Sequence, residues 1–169
     1  MKPLDEWLIV DGYNVIGAHE EWSALGLAEA RDRLTELLSE YQAFSGRRVT
    51  LVFDAQHVPG AGARLSEQRI TVIYTKEHET ADERVERLVK ENKDPHRRIY
   101  VATSDYLEQR MILGLGAYRI SSRELLEELR RMKGEVARRI DKEYRVKPTL
   151  GHGLDGEVLK TFEIWRRKK

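Results

Sequence analysis

Trp7-Leu8-Ile9-Val10-Asp11-Gly12-Tyr13-Asn14 is the stretch that decides the fold. Four consecutive apolar residues with no polar alternation read as a strand covered on both faces, the condition of a parallel sheet. Asp11 ends that strand with Gly12 behind it, and an aspartate there gains nothing from strand propensity. Further along, residues 49–53, 70–74 and 99–102 repeat the Val/Ile-rich run, and residues 117–120 form a weaker fifth candidate. Between them lie helical periods. Leu27, Ala30, Leu34, Leu37, Leu38 and Tyr41 share one face, and the pattern stops at Gly46. Thr80-Ala81-Asp82-Glu83 is a capping box, followed by Val85, Leu88 and Val89. Ser104 is predicted to cap a helix over 105–113, with Gly114 and Gly116 at its exit. Ser121 and Glu124 open a longer helix through Leu125, Leu126, Leu129 and Met132 towards Ile140. Strand–helix alternation implies an α/β domain with a largely parallel sheet. The exception is 55–69, centred on Pro59-Gly60-Ala61-Gly62, which reads as a long loop between two strands.

The acids fall at one edge of that sheet. Asp11 follows the first strand, Asp54 the second, Asp82 sits in the first turn of the helix after Tyr74, and Asp105 stands just past the fourth strand. In a parallel sheet all four lie at the carboxyl edge, where open α/β sheets place their sites. For Asp82 and Asp105 the plain alternative is an acid opposing a helix dipole; Asp11 and Asp54 have no such explanation. Clustered carboxylates repel and raise one another's pKa unless a cation sits among them. A set of hard oxygen ligands, in a chain with no cysteine, suits Mg²⁺ or Mn²⁺ rather than zinc. Such a cation activates water and stabilises in-line displacement at phosphorus, so phosphodiester hydrolysis is the matching reaction class. Asn14 can return its amide to the site, and Thr103 and Ser104 offer hydroxyls beside Asp105. A turn residue and a simple cap are the structural alternatives for Asn14 and Ser104.

The chain has 169 residues, the size of one domain, and no run long and apolar enough to span a membrane. The absence of cysteine excludes a disulfide framework, a cysteine-ligated metal and a thiol nucleophile. The front of the chain is too acidic and its apolar run too short for a signal peptide, so a soluble, cytoplasmic protein is expected. The net charge is +1, which argues against a nucleic-acid partner until it is divided along the chain. Residues 1–120 carry 16 basic and 20 acidic side chains; residues 121–169 carry 14 and 9. An acidic body and a basic C-terminal part give opposite local fields that cancel in the total.

Val10-Asp11-Gly12-Tyr13-Asn14-Val15-Ile16, Val52-Phe53-Asp54-Ala55, Glu79-Thr80-Ala81-Asp82-Glu83 and Val101-Ala102-Thr103-Ser104-Asp105 together resemble the NYN domain, a PIN-like nuclease fold. Within it the chain is similar to the bacterial YacP-type proteins, ribosome-associated endoribonucleases that cut messenger RNA during translation. The similarity extends through Ser122-Arg123-Glu124-Leu125-Leu126 to the tail Glu157-Val158-Leu159-Lys160-Thr161-Phe162-Glu163. The resemblance implies a three-layer α/β/α fold with a mostly parallel five-stranded sheet of order 3-2-1-4-5 and a basic C-terminal helical extension. It implies a metal-dependent ribonuclease site with Asp11, Asp82 and Asp105 as the acids, Asn14 shaping the site, and Asp54 at or just behind the metal. One nuclease domain is expected over 1–147, with 148–169 as a tail whose short helix packs on it.

An acidic metal site repels RNA unless cations guide the backbone. Arg64 and Arg69 border the long loop, and Arg138, Arg139, Lys142 and Arg145 recur at helical spacing; these are the candidate RNA contacts, giving affinity without sequence readout. The alternative for the latter four is a solvated helix face. Tyr13, Tyr106 and His57 are candidate stacking residues. The five histidines are scattered without paired helical spacing, so none is assigned as a ligand. No nucleotide cofactor and no membrane contact are expected. Three functions remain open at this point: an endoribonuclease acting on ribosome-bound messenger RNA, a nuclease processing structural RNA or tRNA, and a non-catalytic ribosome- or RNA-binding regulator. A phosphoryl-accepting receiver domain also gathers acids at a sheet edge, but it wants an acidic pair where Asp11 is followed by Gly12.

Overall fold

Strand β1 (Asp5–Asp11) takes the centre of the sheet because Trp7, Leu8, Ile9 and Val10 are all apolar and all find cover. The computed structural model describes residues 4–55, 64–65 and 70–146, with side chains left undescribed at 64, 65 and 146. β1 pairs in parallel with β2 (Arg48–Phe53) on one side and with β5 (Arg97–Ala102) on the other. Outside these lie β4 (Thr71–Tyr74) and β6 (Tyr118–Ile120), also parallel to their neighbours. The five strands predicted from sequence therefore stand in the order 3-2-1-4-5. A sixth, β3 (Arg64–Leu65), pairs antiparallel with the outer edge of β4. It falls inside the stretch read as a loop, and two residues are too few to show a hydrophobic period.

Among the described residues, five α-helices dress the sheet. α1 (Gly12–Ala18) follows β1 without a linker and is absent from the sequence prediction, because Gly-Tyr-Asn reads as a turn. Gly12 is required there: a Cβ would lie 2.3 Å from Phe53 Cε1. α2 (Leu27–Ser45) ends at Gly46, whose φ of 74° is the left-handed conformation that favours glycine. α3 (Ala81–Glu91) starts at the predicted cap, with Thr80 Oγ1 accepting from the Glu83 N–H at 3.2 Å. α4 (Tyr106–Gly114) corrects the prediction by one residue. Its cap is Asp105 rather than Ser104, because the Asp105 carboxylate accepts from the Glu108 N–H at 3.0 Å. α5 (Ser122–Val146) opens on Ser121, whose hydroxyl accepts from the Glu124 N–H.

Pleating sends alternate residues to opposite faces. Trp7, Ile9, Val52, Ile99 and Val101 meet Ala81, Val85 and Val89, one stripe of α3, together with Ile112 of α4. On the other face Phe53 meets Tyr13 of α1, ring centroids 5.1 Å apart. At the amino end of the strands the Tyr41 hydroxyl donates to Glu128 at 2.7 Å, and Arg47 bonds both Tyr41 and Glu6, so one polar knot ties α2, α5 and β1.

By internal contacts the chain divides into two units, 1–130 and 131–169, with α5 running from one into the other. In the second unit, described as far as 146, Arg138, Arg139, Lys142 and Arg145 are exposed, and Arg139 pairs with Glu135 at 2.9 Å. The expected tail helix within 148–169, and Arg69 and His57, lie outside the described residues. Among the described residues no helix is long and apolar enough to cross a membrane.

Candidate metal centre

Asp11 is the last residue of β1, so the strand that fills the core delivers its carboxylate to the carboxyl edge of the sheet. The side chain is buried, with 8% of the residue's surface exposed. Burial raises its pKa, and the nearby Asp82 and Asp105 carboxylates raise it further, while the Glu108 side chain and the Asn14 backbone N–H act in the opposite sense. Asp82 comes to the site from the first turn of α3, and Glu108 comes from α4. One carboxylate oxygen from each of Asp11, Asp82 and Glu108 lies within 4.8 Å of the other two.

Glu108 is the member that sequence reasoning passed over. It is 2% exposed, and its carboxyl is pushed up to about 10, first by burial and then by the charge of Asp11. Its Oε2 accepts from the Thr103 hydroxyl at 2.8 Å, and its protonated carboxyl shares a hydrogen bond with the Asp11 side chain. Asp105-x-x-Glu108 is the signal that could have found it. A capping acid and a glutamate three residues later lie on one side of a helix start, so an acid at the sheet edge predicts a second beside it.

The hydroxyls and amide near Asp105 have defined work. Thr103 Oγ1 accepts from the Asp105 N–H at 3.1 Å while donating to Glu108, so it orients both. Asn14 Oδ1 accepts from the Ser104 N–H at 2.7 Å and the Ser122 hydroxyl at 2.6 Å. Ser104 Oγ in turn accepts from the Ser122 N–H. Asn14 therefore pins the starts of α4 and α5 to α1, and the Ser104 hydroxyl serves this knot instead of the helix cap. Asp105 is exposed and close enough to Asp11 to act on its charge, but it stands outside the trio of converging oxygens. Asp54 is half-buried at the end of β2 and likewise stands outside that trio. Arg64 contributes its backbone to β3.

Three carboxylates at this separation suit a divalent cation. The donor set is all hard oxygen, and a cation would take the place of the proton shared by Glu108 and Asp11. Without a cation one proton must be held among the acids.

A family model described as a YacP-like NYN domain matches residues 8–167. The chain belongs to the YacP-like NYN family. This NYN domain is 47% identical over 163 residues to a Bacillus subtilis (strain 168) protein described as uncharacterized protein YacP, covering 95% of this chain and 96% of that one. The crystal structure of Rae1 (YacP) from Bacillus subtilis matches with a TM-score of 0.76 and 46% identity over 99% of this chain and 95% of that one. A mutant of the same Bacillus subtilis protein matches with a TM-score of 0.75 and 43% identity over 83% and 84%. The family and the sheet order give this chain a nuclease-type fold.

Proposed function

We propose that this NYN domain is a metal-dependent endoribonuclease of the cytoplasm, hydrolysing RNA phosphodiester bonds with Mg²⁺ or Mn²⁺ and acting on messenger RNA in translating ribosomes. The observation that carries the reading is the convergence of Asp11, Asp82 and Glu108 at the carboxyl edge of the sheet. A divalent cation at such a site supplies Lewis-acid polarisation of a phosphate and activation of a water. The chain's own residues hold and orient it. Asp11, Asp82 and Glu108 are the proposed ligands, Asp105 adds negative charge at the rim, and Asp54 stands one strand away at the same edge. Thr103 fixes the Glu108 carboxyl, and Asn14 fixes the segment carrying Ser104 and Asp105. The exposed cations of α5, Arg138, Arg139, Lys142 and Arg145, with Arg64 and Arg69, are the proposed contacts to RNA phosphates and the ribosome.

The test incubates the protein with translating ribosomes and Mg²⁺ or Mn²⁺, beside Asp11→Asn, Glu108→Gln and Asp105→Asn. Message cleavage by the wild type, lost in the first two variants, is expected. Cleavage that survives both removes the site assignment. Ribosome binding without cleavage of any RNA makes the domain a regulator, and cleavage confined to free structural RNA moves the substrate.

A further inference from the structure

On the α3 side of the sheet, Ala81, Val85 and Val89 pack with Trp7 and Ile9 of β1, Val52 of β2 and Ile99 and Val101 of β5, and a groove of about 330 Å³ lies between the other flank of α3 and Thr50, Thr71 and Ile73 of β2 and β4. We infer that this groove seats one nucleotide of the RNA strand whose scissile phosphate lies at the acidic site. The inference rests on the nuclease reading and adds to it the path of the substrate.

The wall of the groove is a single stripe of α3 and its C-terminal cap: Arg84, Leu88 and Asn92 recur every four residues. Leu88 is partly buried and packs against the core with one side, while its other side, with the Arg84 guanidinium and the Asn92 amide, borders the groove. The floor is Thr50 and Thr71, paired across β2 and β4. Thr50 is buried and accepts from the Trp7 indole N–H at 2.9 Å, so the half-buried Thr71 beside it is the hydroxyl that the floor presents. Asn92 donates to the Leu88 carbonyl at 2.8 Å, which leaves its side-chain oxygen as an acceptor. Donor, acceptor and aliphatic surface together are what a base and a ribose require.

The ends of the groove are positive. Arg48 lies over the Trp7 ring, 4.2 Å from its centroid, and stands 3.7 Å from Asp5, whose same oxygen already takes Arg97 at 2.8 Å. Arg84 stands 4.0 Å from Glu79, which holds Arg87 at 2.8 Å. Each groove arginine thus shares its carboxylate with a second arginine. Lys76, at the other end, is exposed and has no acidic partner among the described residues. The surplus charge suits a phosphate backbone. The volume sits at the low end for small-ligand sites, enough for one nucleotide and too little for a peptide helix.

Register fixes how far this is from the chemistry. Asp11 is level with Val52 on β2, and Val52 with Ile73 on β4. Two strand spacings, about 10 Å, therefore separate the end of β1 from Ile73 at the near end of the groove, and the Thr50–Thr71 floor lies two residues further back along the strands. A strand leaving the acids along the sheet edge reaches Lys76 and Arg84 with its next nucleotides.

The full-length protein is tested with a fluorescein-labelled short single-stranded RNA by anisotropy in EDTA, and with the same RNA for cleavage in Mn²⁺. Lys76→Glu changes an exposed residue, and Thr71→Tyr plugs the floor. Arg33→Glu, on exposed α2, makes the same charge change elsewhere. Both groove variants are expected to weaken binding and raise KM by about tenfold, with kcat within about twofold and, for Lys76→Glu, a salt slope smaller by roughly one. Arg33→Glu is expected to stay within about twofold of wild type. Groove variants that behave like Arg33→Glu while the wild type binds and cleaves overturn the groove and leave the nuclease reading standing. A wild type that neither binds nor cleaves RNA overturns both. Free uridine monophosphate competing as tightly as the RNA makes the groove a mononucleotide site and overturns the strand path.

Discussion

Glu108 is the residue at which fold and function oppose each other. A carboxyl held up to about 10 by burial and by Asp11 is neutral at pH 7, whereas in the unfolded chain it ionises near its ordinary value. Between those two values the native state binds a proton that the unfolded state has released, so its contribution to stability is complete at low pH and is lost as pH rises. The slope for one such group is at most about 1.4 kcal/mol per pH unit. In EDTA the wild type should melt at a lower temperature at about pH 9 than at about pH 6, and Glu108→Gln should flatten that difference. Mn²⁺ should restore the wild type at the higher pH, because it favours the ionised carboxylates, and should not restore the variant. An identical pH profile in the two proteins would show that Glu108 does not hold the proton. Gly12 is the second such residue. Placing a Cβ 2.3 Å from the Phe53 ring should cost about 1–3 kcal/mol by urea unfolding of Gly12→Ala. In the double variant with Phe53→Leu the loss should be smaller than the sum of the two single losses, since both act on one contact.

Among the secondary-structure elements, α4 carries two functions in one turn. Asp105 caps the helix and stands near Asp11, while the helix it caps delivers Glu108. The two roles separate on substitution. Asp105→Asn keeps a capping oxygen and should melt within a few tenths of a kcal/mol of wild type, whereas Asp105→Ala should lose about 1 kcal/mol. If the rim charge matters to the chemistry, the asparagine variant cleaves RNA about tenfold more slowly despite its unchanged stability, a barrier change of about 1.4 kcal/mol. Cleavage at the wild-type rate would confine Asp105 to capping. This element also shows what sequence can reveal. The parallel strands were legible because residues buried on both faces must be apolar throughout, and α3 and α5 announced themselves by capping boxes. Asp11 and Asp82 could be placed because each directly follows or opens such an element. Glu108 could not, because a glutamate within a helical period looks like any solvated position until the neighbouring acids are known. α1 was missed for a different reason: seven residues starting Gly-Tyr-Asn carry turn chemistry, and only the packing of Val15 and Ile16 makes them helical.

Taken over the entire chain, the net charge of +1 is the sum of two opposed demands. Carboxylates close enough to hold a cation repel a polyanion, so affinity for RNA must be supplied by residues elsewhere in the chain. The excess of acidic over basic residues in 1–120 and its reversal in 121–169 divide the work in that way. In the second unit the four candidate cations of α5 are exposed, and Arg139 pairs with Glu135 one turn before it. An exposed i,i+4 pair of that kind contributes only about 0.3–0.5 kcal/mol, too little to account for a cationic helix face by stability alone. Replacing Arg138 and Arg139 together by glutamate should therefore leave the circular-dichroism spectrum and the melting temperature nearly unchanged. The exception is a few tenths of a kcal/mol from repulsion between Glu135 and the new carboxylate one turn after it. Co-sedimentation with ribosomes should weaken by about tenfold or more, and its dependence on salt should become shallower, because phosphate contacts release counterions and each lost contact reduces that release. A variant that binds ribosomes as the wild type does, at both low and high salt, would return this face to solvent and place the RNA contacts on the first unit alone.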